Sequence, residues 1–330
     1  MGQQMITGLD LARAFYREIV SPAIAANEAD LRYTAGIVGA GSEVLRCDDE
    51  LSRDHDWGPR CQIYLQPSDF KRKKSGLEVL LNAAAPAVFR GWPTANIPGG
   101  RHVPIQILNM DEYFLSLTGA PVGDWSPVEW LTIHEHHLLG VISGELFRDD
   151  LGMQDLRDKL AFYPDDLRLY LIAAEWKKIE QEQAFPARAG MLGAEAGSAI
   201  VGARLAESAM RIWFYVHRQY PPYSKWFGVK FLNLPGAETV NKSLLGMLSS
   251  SSWQKRDEHW STVLRHLLSL HEEHGLLAAG RYKPARVYGG GGRFGTGIPE
   301  LPEDGMPTMG ELMDEIRNAI TDQEILRLPK

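Results

Sequence analysis

The first third of the chain alternates between helical and strand-like hydrophobic spacing. Apolar positions three or four residues apart indicate amphipathic helices, whereas short apolar or alternating runs indicate strands. On these criteria the sequence predicts helices over 8–27 and 74–84, and strands at 33–39, 61–65 and 103–108. This mixture of helices and strands is typical of an α+β domain.

Beyond residue 124 the pattern changes to helix after helix. Ser126 precedes Pro127, and Glu129 stands three residues after the serine, which predicts a capping box at a helix start. Further helices are predicted over 152–161, 164–185, 194–218, 237–249, 253–278 and 309–320. We therefore expect two domains, an α+β domain over 1–124 and an all-α helical bundle domain over 125–330.

The segment 289–297 stands out within the helical half because it is rich in glycine. Such a composition favours a flexible connector, which here would lead to the last helix. A mobile lid over a substrate is the alternative interpretation.

Composition and charge narrow the classes of partner. The chain of 330 residues has a net charge of −7, which argues against nucleic acid, and the short basic cluster 71–74 is expected to be a solvated turn. No apolar run reaches the roughly 18 residues of a membrane span, and no secretory signal is recognised. Two cysteines, Cys47 and Cys61, allow no disulfide framework. We expect a cytoplasmic protein that binds neither nucleic acid nor membrane.

Candidate chemistry is concentrated in Gly41-Ser42 and, after a short polar spacer, Asp54-His55-Asp56. If Asp54 and Asp56 lie in one extended segment, their side chains project from the same face. Two carboxylates so arranged suit Mg²⁺, which also keeps waters and phosphate oxygens as ligands. Gly41 permits a close backbone approach, and Ser42 offers a hydroxyl and an N–H group to a triphosphate. The sequence therefore predicts a site for a metal-bound nucleotide.

These residues resemble the motif of the nucleotidyltransferase superfamily, which includes the aminoglycoside and lincosamide nucleotidyltransferases. The strings 39–45 and 52–59 are similar to one bacterial family, catalogued only as a domain of unknown function with a nucleotidyltransferase-like fold. Later strings agree with it, at 130–131, 144–149, 163–164 and 220–227. The resemblance implies a nucleotidyltransferase-like mixed-sheet domain followed by a helical domain. It also implies Mg²⁺ and a nucleoside triphosphate cosubstrate, with ATP as the first candidate.

The superfamily pattern supplies a third metal-binding carboxylate from a strand that here reads Ile105-Gln106-Ile107. The resemblance therefore assigns the third metal position to Gln106, whose amide oxygen can touch a cation but carries no charge. Glu112, Glu135 or Glu145 could complete the site instead, and a small change of register would bring in Asp111.

Two further residues beyond position 124 are candidates. Lys225 lies in an aromatic string, where its ammonium is expected to face the triphosphate across the domain cleft unless the string only anchors the core. In His134-Glu135-His136-His137, helical spacing would give His134 and His137 one face and point Glu135 and His136 elsewhere. The spacing of a zinc site is missing. Glu135 is a candidate general base toward an acceptor hydroxyl or amine.

The leading hypothesis is an enzyme that transfers a nucleoside monophosphate from a triphosphate to a small polar acceptor. The residues expected to be catalytic are Asp54, Asp56, Lys225 and Glu135. The alternatives are a nucleotide- or partner-binding module without transfer activity, and nucleotidyl transfer to a protein. A dinucleotide-binding fold is a weaker alternative, because Val44 stands where its third glycine would open a helix. A homodimer is compatible with the leading hypothesis.

Overall fold

The computed structural model of the protein describes residues 6–53, 57–94, 104–121, 123–289, 292–300 and 306–329. The chain divides into two units, Met1–Ala161 and Phe162–Lys330. The first unit combines a sheet with helices, and the described part of the second is helical apart from one hairpin. The predicted α+β class is therefore confirmed.

A mixed sheet organises the first unit. The strands of this unit are β1 (Thr34–Ile37), β2 (Cys61–Leu65), β3 (Val88–Phe89), β4 (Trp92–Pro93), β5 (Ile105–Asn109) and β6 (Glu145–Asp149). Four of them form a sheet in the order β5-β2-β1-β6, and β3 pairs with β4 in a separate hairpin. β1 is antiparallel to β2 and β6, whereas β5 is parallel to β2. The end of β1 and the beginnings of β2 and β5 therefore lie at the same edge of the sheet.

Helices cover both faces of this sheet. The helices of the unit are α1 (Gly8–Phe15), α2 (Ser21–Asn27), α3 (Pro67–Ala84), α4 (Met110–Thr118), α5 (Pro127–Thr132), α6 (Glu135–Ile142) and α7 (Met153–Lys159). A π-helical turn at Tyr16–Val20 joins α1 to α2, so the helical segment predicted over 8–27 is present. α3 begins at Pro67, a first-turn proline, and the basic cluster 71–74 therefore lies within a helix and not in a turn.

The alternation of side chains along β2 shows what lies on each face. Cys61, Ile63 and Leu65 join a buried cluster with side chains of α1, α2 and α3. Gln62 and Tyr64 lie on the opposite face, where the Tyr64 ring meets the ring of Tyr113 from α4 edge-on, with centroids 5.0 Å apart. All five residues of β2 are buried, because both faces of the strand are covered.

The first unit extends further along the chain than residue 124, the boundary predicted from the sequence. The reason is β6, which pairs with β1 and so makes residues 145–149 part of the sheet. α6 and α7 flank this strand, and the unit ends at Ala161. The capping box predicted at the start of α5 is present, with Ser126 and Glu129 bonded to each other's backbone N–H groups.

Long helices dominate the second unit. Its helices are α8 (Asp165–Glu182), α9 (Phe185–Met191), α10 (Glu195–Val216), α11 (Ser224–Leu232), α12 (Ala237–Ser249), α13 (Trp253–Glu273), α14 (Met309–Arg317) and α15 (Gln323–Leu326). The indole N–H of the buried Trp176 on α8 donates to Nε2 of the buried His271 on α13, at 3.0 Å. None of the described helices combines the length and the apolar character needed to cross a membrane.

The described residues of the glycine-rich segment belong to two paired strands, so the expected flexible connector is wrong. Strands β7 (Ala285–Gly289) and β8 (Gly292–Gly297) are antiparallel. Asp257 of α13 accepts bonds from the backbone N–H and the hydroxyl of Thr296. Gln183 both donates to and accepts from the backbone of Ile298, at 2.7 and 3.0 Å. Side chains from the helical core therefore hold this strand in place. An all-α domain was predicted here, whereas the described part of the second unit also contains two paired strands.

Candidate functional site

The chain turns sharply where β1 ends. Gly39 and Gly41 have φ angles of +91° and +140°, a region that side-chain-bearing residues rarely adopt. A short turn follows, in which the N–H of Cys47 donates to the carbonyl of Ser42 at 2.8 Å. We name residues 39–42 the glycine loop. The sequence prediction assigned Gly41 and Ser42 to nucleotide binding, and both lie in this loop, which follows the end of β1.

The corner between α6 and β6 braces the glycine loop from behind. The N–H of Gly39 donates to the carbonyl of Gly140 at 2.9 Å, and the N–H of Gly144 donates to the carbonyl of Val44 at 3.0 Å. A Cβ on Gly144 would lie 1.9 Å from the carbonyl oxygen of Ile37, so no side chain fits there. Sequence reasoning missed Gly140 and Gly144, although their presence in an otherwise apolar helix and turn was a visible sign of close backbone approach.

Three consecutive backbone N–H groups of the glycine loop are open. In the part of the chain that the structure describes, no acceptor is bonded to the N–H of Ala40, Gly41 or Ser42. Ala40 is exposed, and the other two residues are partly exposed. Successive N–H groups in a turn with a positive φ form a concavity that attracts anions. This arrangement is suited to a phosphate group.

The hydroxyl of Ser42 has a different partner from the one expected. It donates to the carbonyl of Ser52 at 3.0 Å, within the 3₁₀ turn Leu51–Arg53. The side chain thereby ties the glycine loop to the chain segment that leads to Asp54. Of the two groups that Ser42 was expected to offer a triphosphate, the N–H remains open.

Asp54 and Asp56, the predicted metal ligands, lie outside the described residues, and so does His55 between them. The residues before and after them, Arg53 and Trp57, are described. The guanidinium of Arg53 lies 4.5 Å from the centroid of the Trp57 ring. Trp57 is buried, and its indole N–H donates to Asp48 at 3.1 Å. The two flanking residues are therefore packed against each other.

A buried ion pair lies directly beneath the glycine loop. The Nε of Arg60 donates to Glu43 Oε1 at 2.7 Å, and Nη2 of the same guanidinium donates to the carbonyl of Ala40 at 2.9 Å. Burial raises the pKa of Glu43, and the charge of Arg60 opposes this effect. Sequence reasoning did not identify either residue, because each looks like an ordinary charged residue until the fold brings them together.

Gln106, predicted as the third metal position, lies near the start of β5, directly beside Gln62 in the parallel register. It is partly exposed, while Gln62 is buried. The side-chain oxygen of Gln62 accepts from the N–H of Val38 at 2.8 Å and from the hydroxyl of Tyr64 at 2.9 Å. The sheet edge next to the glycine loop thus presents two amides side by side.

The alternative acids for the third position have other locations or partners. Asp111 and Glu112 are exposed in the first turn of α4, which follows the far end of β5, where Asn109 pairs with Leu65. Glu145 accepts two bonds from the guanidinium of Arg13 on α1. Among the described residues, no group of three His, Cys, Asp or Glu side chains is arranged to hold a metal ion.

The histidine-rich string at the start of α6 differs from the expected arrangement. His134 is the N-cap and precedes the helix, so helical spacing does not fix its ring. The rings of His134, His136 and His137 form one cluster, with centroids 4.2 to 5.7 Å apart. Desolvation, and then the neighbouring histidines, lower the pKa of His136. The separation predicted for His136 is therefore wrong.

Glu135 is the first residue of α6, the helix whose Gly140 contacts the glycine loop, and it is partly buried. Five residues at a rise of 1.5 Å separate the two by roughly 7.5 Å along the helix axis. Lys225 belongs to the second unit, where it is exposed in the first turn of α11. Its ammonium lies 4.8 Å from the centroid of the Trp226 ring. The predicted contact of Lys225 with a triphosphate stays a prediction.

The fold and this geometry define an α+β protein whose glycine loop, at the end of β1, carries three open N–H groups. The family model described as "Domain of unknown function (DUF4037)" matches residues 130–227. The match confirms the predicted resemblance to a family of unknown function over those residues, which include the strings at 144–149 and 220–227. The glycine loop lies outside the matched range.

A solved structure is also similar to the chain. It is that of a nucleotidyltransferase-like protein from Exiguobacterium sibiricum 255-15, with 12% sequence identity and a TM-score of 0.33. The alignment covers 83% of this chain and 82% of that one. No curated protein matches the chain.

Proposed function

We propose that the protein is a Mg²⁺-dependent nucleotidyltransferase that moves a nucleoside monophosphate from a triphosphate to a small polar acceptor and releases pyrophosphate. ATP is the first candidate among the triphosphates. The observation that carries the proposal is the row of open N–H groups at Ala40, Gly41 and Ser42. Three backbone donors that converge on one anion can bind a phosphate without any cationic side chain.

The proposed metal ligands are Asp54 and Asp56, and the packing of their flanks supports this assignment. The segment that carries them is tied to the glycine loop at both ends, by the bond from Ser42 to Ser52 and by the bond from Arg60 to Ala40. Carboxylate oxygens are the ligands that Mg²⁺ prefers, and the bound ion would neutralise charge on the phosphates.

Three other residues receive proposed roles. The amide oxygen of Gln106 would complete the metal site from β5, and its location near the start of that strand supports this role. Glu135 would accept a proton from the acceptor hydroxyl or amine, since it begins the helix that braces the loop. Lys225 would contact phosphate, because its ammonium can offset the negative charge of the triphosphate.

A pyrophosphate-release assay tests the proposal. Purified protein would be incubated with ATP, GTP, CTP or UTP, with Mg²⁺ and with a panel of amino-sugars and other small polar acceptors. We expect release that requires Mg²⁺ and falls by about 100-fold or more in Asp54→Asn, because the substitution keeps the shape of the ligand and removes its charge.

The matched control is Asp30→Asn, which changes an exposed acid of the same unit in a turn. Release in this variant should equal that of the natural protein. If Asp54→Asn binds Mg-ATP as tightly as the natural protein, the metal site is misassigned.

The amide at the third position favours a second candidate function, a nucleotide-binding module without transfer activity. Gln106 and its neighbour Gln62 are both uncharged, and Glu145 is bonded to Arg13. The variant Gln106→Glu separates the two functions. If the natural protein is inactive and the variant releases pyrophosphate, the protein is a binding module. If the natural protein turns over and the variant changes little, the enzyme proposal stands and another group completes the site.

A further inference from the structure

The ion pair between Arg60 and Glu43 is almost completely shielded from solvent. The side chain of Glu43 is 2% exposed and that of Arg60 is 10% exposed. In the described part of the chain, Glu43 Oε2 is buried without a hydrogen-bond partner. Removing two charges from water is costly, and their attraction only offsets this cost when the geometry is good. A buried ion pair alone is therefore weak evidence that the pair stabilises the fold. The contacts of this pair with the glycine loop say more about its role.

The glycine loop rests directly on this pair. A Cβ on Gly41 would lie 2.5 Å from Arg60 Nη2 and 2.8 Å from Glu43 Oε2, so the loop backbone touches both charged groups. Nη2 also donates to the carbonyl of Ala40. Arg60 therefore holds the acceptor side of the same peptide segment whose N–H groups are open.

Arg60 also belongs to the chain segment that follows Asp56. It stands immediately before β2, whereas its partner Glu43 follows the glycine loop. A single guanidinium thus fixes the glycine loop to the start of β2. A monodentate lysine could not make the same set of bonds, because it lacks the planar fork of donors.

We propose that Arg60 is a positioning residue for triphosphate binding. It holds the carbonyl of Ala40 so that the N–H groups of Ala40, Gly41 and Ser42 converge on the phosphate, while Glu43 neutralises its charge. This inference rests on the proposed function for the identity of the ligand. The effect of Arg60 on the shape of the loop does not depend on any ligand.

The first experiment measures amide hydrogen exchange by NMR in the unliganded protein. In Arg60→Lys we expect the protection of the Gly39 and Cys47 amides to fall by about tenfold or more, because the loop that both bonds close is no longer held. The control is Arg256→Lys, which makes the same substitution in a buried arginine of the second unit that pairs with Glu195, and it should leave these two amides unchanged. Equal protection in Arg60→Lys and the natural protein would overturn the inference.

The second experiment measures the affinity for Mg-ATP and for inorganic triphosphate with magnesium, together with the melting temperature. In Arg60→Lys we expect both affinities to fall by about tenfold or more, in protein whose melting transition shows that it is folded. Glu43→Gln separates positioning from simple charge attraction. Positioning predicts that this variant binds triphosphate no better than the natural protein. Tighter binding would mean that Arg60 acts through its charge and would overturn the inference.

Failure of the proposed function and failure of this inference give different results. If the natural protein binds neither probe, the proposed function fails, and the exchange experiment still decides whether Arg60 shapes the loop. If Arg60→Lys does not fold, the double variant Glu43→Leu/Arg60→Met replaces it, because removing both charges leaves no buried unpaired ion. Lost protection of the Gly39 amide in the double variant supports the inference, and retained protection overturns it.

Discussion

The backbone of the glycine loop and that of the glycine-rich segment 289–297 are bonded in opposite ways. In the second unit, side chains from elsewhere bond to the backbone of β8 and of the residue that follows it, since Asp257 accepts from Thr296 N–H and Gln183 accepts from Ile298 N–H. In the glycine loop of the first unit, hydrogen bonds engage the N–H of Gly39 and the carbonyls of Ala40 and Ser42. The three consecutive N–H groups of residues 40–42 remain open. Glycine content alone therefore does not distinguish a binding loop from a docked strand.

The difference lies in which backbone groups the surrounding fold leaves without a partner. A buried N–H group without an acceptor costs free energy, so folded proteins satisfy nearly all of them. The residues that carry the open N–H groups are exposed or partly exposed, so this rule for buried groups does not apply to them. A binding role is consistent with this arrangement, whereas the hairpin has the features of a structural element.

The largest effect is expected from Gly144→Ala, which changes the corner between α6 and β6 that contacts the glycine loop. The φ angle of Gly144 is +76°, and a Cβ would lie 1.9 Å from the carbonyl of Ile37. Strain and overpacking together should destabilise the first unit by roughly 4 kcal/mol. Urea denaturation combined with hydrogen exchange of the Gly39 amide would measure this.

Gly193→Ala is the control for that substitution. Gly193 has a similar φ of +77° but no atom within 4 Å of an added Cβ, so only the backbone strain of about 1 kcal/mol should remain. Equal costs at the two positions would show that the α6–β6 corner does not brace the loop.

The second prediction concerns the pH dependence of the helix that holds the hairpin. Asp257 and His271 both lie on α13. Burial lowers the pKa of His271 to about 4, below the value of 6.5 for an unperturbed histidine. The unfolded chain therefore binds more protons between pH 6.5 and pH 4, and the stability of the second unit should fall by roughly 3 kcal/mol as the pH decreases through this window.

Denaturation of the natural protein and of His271→Gln at several pH values would test this. The variant removes the titrating group, so its stability should change less with pH over the same window. An equally steep pH dependence in the variant would assign the effect to other groups and not to His271.

The contrast between the two stretches also shows how far sequence reasoning reaches. Strand β2 was predicted with its observed limits, because alternating apolar residues between turn residues depend only on local sequence. Strand β6 was missed, since Glu145 and Arg148 give an edge strand the composition of a loop. The start of α3 was placed late, although Pro67 was a visible helix-start residue.

The candidate site divides in the same way. Gly41 and Ser42 were recognisable because a motif fixes their spacing. The bond from Arg60 to Glu43 joins residues 17 positions apart, and the bond from Gly39 to Gly140 joins two distant segments. Such pairs depend on how β1, β2 and α6 pack together, and the local sequence does not reveal this tertiary arrangement. The sequence therefore predicted the loop but not the groups that shape it.

The third prediction removes the side chain that satisfies the hairpin. Asp257→Ala deletes the acceptor for the N–H and the hydroxyl of Thr296, and an ion pair with Arg286 at 3.3 Å. The Thr296 N–H would then have lost its partner, at a cost of about 2 kcal/mol. Thermal unfolding and hydrogen exchange of the Thr296 amide would measure the loss. Unchanged protection of that amide would show that α13 does not hold β8.

The smallest effect is expected from a matched pair of hydroxyl deletions, Ser42→Ala in the glycine loop and Thr296→Val in the hairpin. Each hydroxyl donates one hydrogen bond, to Ser52 at 3.0 Å and to Asp257 at 2.9 Å, so each variant should lose about 1 kcal/mol of stability. Equal losses of stability would mean that the two hydroxyl groups stabilise their segments to the same extent. The two segments would then differ only in their open N–H groups. If Ser42→Ala leaves stability unchanged but weakens binding of Mg-ATP, the hydroxyl serves the ligand and not Ser52. The contrast would then rest on a side chain as well as on the backbone.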